Sequence, residues 1–162
     1  MSIAPHDICR RLGEARFKEM FLSLNAAAMK ASVMEAGMST ARLPSQTSTR
    51  KRNDDWAKAL WNSYSTARPA PSKVLVFEWL RQTQSKMLTY FLDTLNVPHT
   101  RGLTDADFMT EIPEEKLVAT AKLLLAHPEF SKHSVAAYLL FLDNSNETNK
   151  FASLQLEHLL AG

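Results

Sequence analysis

A chain of 162 residues with 45% hydrophobic and 22% charged side chains has the length of one domain and enough apolar material for a real core, which excludes a disordered tail. Its single cysteine, Cys9, excludes an internal disulfide and any all-cysteine metal site, and fits a reducing compartment. The net charge of +2 is unevenly shared: residues 1–72 hold 11 basic and 6 acidic side chains (+5) and residues 73–162 hold 8 and 11 (−3), so an anionic partner suits the first part better.

The N-terminal MSIAPHDICRR puts its charges after a short apolar patch, the wrong order for a signal peptide. The longest apolar run, Val135–Leu142, falls far short of the roughly 20 residues that cross a bilayer, so a cytoplasmic protein without membrane association is expected. Asp7 can cap a first helix in which Phe17, Met20, Phe21, Leu24 and Ala28 form one stripe. Met29, Val33 and Met34 extend it toward Gly37 while drifting to another face, which one neighbour cannot also cover. Gly13 weakens the front of this helix by about 1 kcal/mol.

From Met38 to Asn53 the periodicity disappears into Ser, Thr, Gln and Pro, closing on Arg50-Lys51-Arg52. A tract of that length reads as a polar, basic connector. Asn53 or Asp54 then caps a short helix bearing Trp56, Leu60, Trp61 and Tyr64, and Arg68-Pro69-Ala70-Pro71 is an extended link. That link divides an N-terminal segment, 1–70, from a core, 71–162, within one structural unit.

The strongest pattern in the chain predicts one central helix over 73–96. Val74, Phe77, Leu80, Met87, Leu88, Phe91 and Leu95 recur at helical spacing, with Gln84 alone interrupting the stripe. Ser72 can cap its start, and Asn96 before Val97-Pro98 ends it. A brief acidic turn with Phe108 and Met109 facing inward follows. A helix opening at Pro113 is stopped by His127-Pro128, and another after Ser131 is apolar all round. Asn144 and Glu147 resemble a capping box for a last helix bearing Phe151, Leu154, Leu156, Leu159 and Leu160. The fold expected is all-α, about six helices without a sheet, with a C-terminal antiparallel bundle around 73–96.

Chemistry is harder to find. The five histidines lack the i, i+4 spacing of a helical metal pair, although His127, Glu129 and His133 surround one turn and make a candidate zinc cluster. Asp105-Ala-Asp107 begins like a calcium loop but lacks its glycine and distal glutamate. No phosphate-cradling or nucleophile-elbow motif occurs, so no catalytic residue, cofactor or metal is assigned.

Two surfaces carry the functional expectation. Met29, Val33 and Met34 form an apolar strip for a protein partner or a second copy of the chain, which makes a non-catalytic interaction module the leading reading. The alternative is a nucleic-acid-associated protein using the basic loop 42–52, with Arg42, Arg50, Lys51 and Arg52 on phosphates. The third reading is an enzyme whose site is assembled from distant residues.

Overall fold

Helical spacing governs this chain, but the helices it specifies are shorter than their stripes. The computed structural model describes residues 3–38 and 48–161 and, among these, contains ten α-helices, one 3-10 helix and no β-strand. The all-α expectation therefore holds. The count of about six does not, and each discrepancy has a local cause.

The single N-terminal helix is three: α1 (Pro5–Leu12), α2 (Glu14–Leu22) and α3 (Ala26–Glu35). Gly13 separates the first two at φ 91°, a conformation open mainly to glycine. Asn25 separates the next, because its side chain accepts the Ala28 N–H at 2.8 Å and so begins a new helix. Asp7 lies inside the first turn of α1 and does not precede it.

The polar tract is also shorter than expected. Its residues 39–47 lie outside the described region, but Arg50, Lys51 and Arg52 belong to helix α4 (Thr49–Ser63). The cap of α4 is Ser48, whose Oγ accepts the Lys51 N–H at 3.2 Å, and not Asn53 or Asp54. Polar composition concealed this helix start, because a serine cap followed by Thr-Arg-Lys-Arg offers no apolar stripe to read.

The central helix is broken as well. It runs as α5 (Lys73–Thr83) and α6 (Ser85–Thr94), with Gln84 between them at φ −117°, ψ 22°. No proline or glycine stands there. What stands there is Thr83-Gln84-Ser85, a polar run that gives neither half an apolar reason to continue. Ser72 does not cap α5, since its hydroxyl is held by Ala70 O and the Tyr64 hydroxyl. The carboxylate of Glu35 reaches across from the end of α3 to accept the Val74 N–H at 3.1 Å.

Three helices follow, the short α7 (Phe108–Glu111) and the longer α8 (Glu114–Ala126) and α9 (Lys132–Ser145). The expected last helix is replaced by a turn, a 3-10 helix at Ala152–Leu154 and α10 (Glu157–Leu160). Asn144 lies within α9, and Glu147 takes a left-handed φ of 53°, so the two form no capping box.

The described chain forms two compact units, Pro5–Trp79 and Leu80 onward (together with Ile3 and Ala4), and their boundary falls within α5. In the first, α2 packs on α1 and α4, and α3 packs on α4. Phe17 is the hub, with Tyr64 edge-on at 5.2 Å and Trp61 at 5.7 Å. In the second, α8 packs on α6 and α9, and α9 on α10. Phe91 is its hub, ringed by Phe108, Tyr138 and Phe151. Gly102 is required there: its φ is 84°, and a Cβ on it would overlap the Leu88 Cβ. No helix among the described residues is long and apolar enough to cross a membrane.

Candidate functional site

The two surfaces expected from the sequence fare differently. On α3 the restart at Asn25 sets a buried face of Ala28, Met29, Ser32 and Val33, at positions i, i+1, i+4 and i+5. Met29 is 6% exposed and Val33 0%. The expected apolar strip is therefore core, and only Met34, one position off that face and 64% exposed, reaches solvent. Leu22, at the end of α2, is 41% exposed.

The basic group is accessible. Arg50 and Lys51 are exposed in the first turn of α4, and Arg42 lies outside the described residues. Arg52 is half-buried, its guanidinium carbon 4.6 Å from the centre of the Trp56 ring and its Nη2 donating weakly to Asn53 Oδ1 at 3.5 Å. Its buried Nε meets no acceptor among the described residues. Trp56 and Tyr64 are buried, and Trp61 leans on Phe17. The aromatic stripe thus serves mainly the core, with only Trp61 half-buried. What remains is a patch of cations at the positive end of a 15-residue helix.

The candidate cluster of His127, Glu129 and His133 does not assemble around its turn. The His127 Nδ1 accepts the Glu129 N–H at 3.1 Å, and its ring stacks on Phe130 at 4.4 Å with Tyr90 edge-on at 4.9 Å. His133 turns instead toward Ser131, its Nε2 3.4 Å from the hydroxyl. Among the described residues no group of three His, Cys, Asp or Glu side chains could hold a metal ion.

Other reactive groups are committed to the fold. His99 Nε2 lies 2.6 Å from Asp93 Oδ1, the spacing of an acid–base pair, but its Nδ1 accepts the Gly102 N–H at 2.9 Å. Both ring nitrogens are used, and the pair clamps the turn after α6. Cys9 is fully buried, and burial pushes its thiol up to about 12, the hydrogen bond with Tyr64 only partly opposing this. It is a packing residue, held neutral. Burial likewise raises the Tyr64 and Tyr138 hydroxyls far above the usual tyrosine range.

One feature escaped sequence reasoning. At the α5–α6 break a cleft of about 330 Å³ opens between Thr83, Gln84, Ser85 and Lys86 on one side and Glu129 and Phe130 on the other. The only signal for it was Gln84 interrupting the helical stripe. Glu129 and Phe130 are separated from that signal by more than forty positions, and no spacing rule connects them.

No protein-family model, characterised protein or solved structure matches this chain.

Proposed function

We propose that the chain is a non-catalytic helical interaction module whose partner is nucleic acid, held through its phosphates by the first turn of α4. The observation that carries this reading is the exposure of Arg50 and Lys51 at the positive end of α4, beside Arg52 held against Trp56. Cations there oppose the helix dipole by about 0.3–1 kcal/mol each. No ion pair with a described residue offsets Arg50 or Lys51. A local rule broken without compensation from the described residues is expected at functional surfaces, and a polyanion would supply that compensation. Because Trp56 is buried, contact is with the backbone and is indifferent to base sequence.

Fluorescence anisotropy of a labelled short duplex across a salt series tests this. Binding should weaken steeply with salt, and Arg50→Glu with Lys51→Glu should reduce affinity at least about tenfold and flatten the log–log slope by about 2. Absence of binding at low salt, or equal binding by the double variant, would overturn the reading.

A second reading, self-association, keeps one observation in its favour, the 64% exposure of Met34. On that reading the wild type sediments partly as a dimer at micromolar concentration, and Met34→Glu is monomeric with helicity unchanged. A strictly monomeric wild type at high concentration removes it. Either partner suits a cytoplasmic module, in keeping with a single cysteine kept as a buried free thiol.

A further inference from the structure

We infer that the cleft at the α5–α6 break binds a small zwitterion of the α-amino-acid type. The argument begins with the charge of its walls. Lys86 stands on one side and Glu129 on the other, and neither side chain forms an ion pair with any described residue, the other included. A simple cation drawn to Glu129 is opposed by Lys86, and a simple anion drawn to Lys86 is opposed by Glu129. A ligand carrying both charges satisfies both walls.

The remaining lining fits that class. Phe130 is fixed by its stack on His127, 26° from parallel, and by Tyr90 edge-on at 6.0 Å. A fixed aromatic wall beside a carboxylate is a combination that holds an ammonium group, by charge and by the ring quadrupole together. Opposite, the Ser85 hydroxyl and the Lys86 ammonium are donors suited to a carboxylate, and the Gln84 amide has a second N–H beyond the one it gives to Thr83 Oγ1 at 3.2 Å. The cleft volume of about 330 Å³ is at the small end of ligand sites, which run from about 300 to 1,000 Å³. That size admits a single amino acid. Both charged groups are exposed, so the affinity is weak and depends on the pair of charges. The inference is independent of the nucleic-acid reading.

Saturation-transfer NMR on the full chain tests it, with free phenylalanine, its decarboxylated amine (phenethylamine) and its deaminated acid (3-phenylpropionate) as probes. The amino acid should bind, and each singly charged analogue should bind about tenfold more weakly, as expected for one lost charged contact. Lys86→Met should abolish the preference over the amine, and Glu129→Gln the preference over the acid, with far-UV circular dichroism unchanged in both. The inference is overturned if no probe receives saturation, if either analogue binds the wild type as well as the amino acid, or if the variants keep both preferences.

Discussion

Replacing Phe91 by alanine should lower the stability of the folded chain by about 3–5 kcal/mol, the usual cost of emptying a large aromatic site in a packed core. Phe91 is completely buried on α6. Its ring meets Tyr138 of α9 at 5.5 Å, Phe108 of α7 at 6.3 Å and Phe151, after α9, at 6.3 Å. The four rings adopt edge-to-face arrangements, which contribute about 0.5–1.5 kcal/mol per pair beyond the area they bury. Truncation therefore removes apolar burial, leaves a cavity and unties three segments at once. Phe91→Leu should recover part of the loss, since it fills volume without the ring contacts. The measurement is urea denaturation followed by circular dichroism, on the whole chain and on the fragment 71–162. That fragment contains all of α5 and the second unit apart from Ile3 and Ala4, so it is expected to fold cooperatively by itself. A fragment without a cooperative transition would tie residues 1–70 to the core. A Phe91→Ala loss below about 1 kcal/mol would show that the site collapses without cost.

The rings around Phe91 also mark how far the sequence could be read. Phe91, Leu88 and Leu92 sit on a 3.6-residue stripe, so their burial follows from periodicity alone, as does that of Phe17, Phe21, Leu117 and Leu124. The limits of helices were another matter. A stripe does not report whether the backbone beneath it is continuous, and the one read over 73–96 holds on α6 but not on α5, where Leu75, Val76, Trp79 and Leu80 are buried while Val74 is half-buried and Phe77 is 39% exposed. The same blindness fused α1, α2 and α3, and it sent Met29 and Val33 to an imagined surface when the restart at Asn25 had turned them inward. Polar capping also resisted reading. The cap of α5 comes from Glu35, thirty-nine positions away, and no local rule reports a partner at that separation. Of the candidate surfaces, Arg50, Lys51 and Arg52 were legible as a charged group, and what was hidden was the helix that presents them. The cleft was invisible because Lys86 and Glu129 meet only through the fold.

A group of the same hidden kind provides the other large expected effect. Asp143→Ala should destabilise the chain by about 3 kcal/mol, because it leaves one buried and two part-buried donors without their acceptor. Asp143 is 2% exposed near the end of α9, where it follows the apolar run Val135–Leu142 and opens the polar Asp-Asn-Ser-Asn sequence. Its Oδ1 accepts the Thr148 hydroxyl at 2.7 Å and the Lys150 N–H at 2.8 Å, and its Oδ2 accepts the Phe151 N–H at 3.1 Å. One carboxylate thus satisfies the turn that replaces the expected capping box and brings Phe151 to the Phe91 cluster. Each buried donor left without an acceptor costs about 1–3 kcal/mol, and relaxation of the turn toward water returns part of that. Asparagine is the sharper probe, since it matches the shape but offers an acceptor on one side only. With its oxygen at the Oδ1 position, the amide NH₂ faces the Phe151 N–H; reversed, it faces the Lys150 N–H. Asp143→Asn should therefore fall between wild type and alanine, at about 1–2 kcal/mol. Hydrogen exchange should report the same hierarchy locally, with the Lys150 and Phe151 amides losing protection first. An asparagine variant as stable as wild type, with both amides still protected, would show that the turn is held by its backbone and not by this carboxylate.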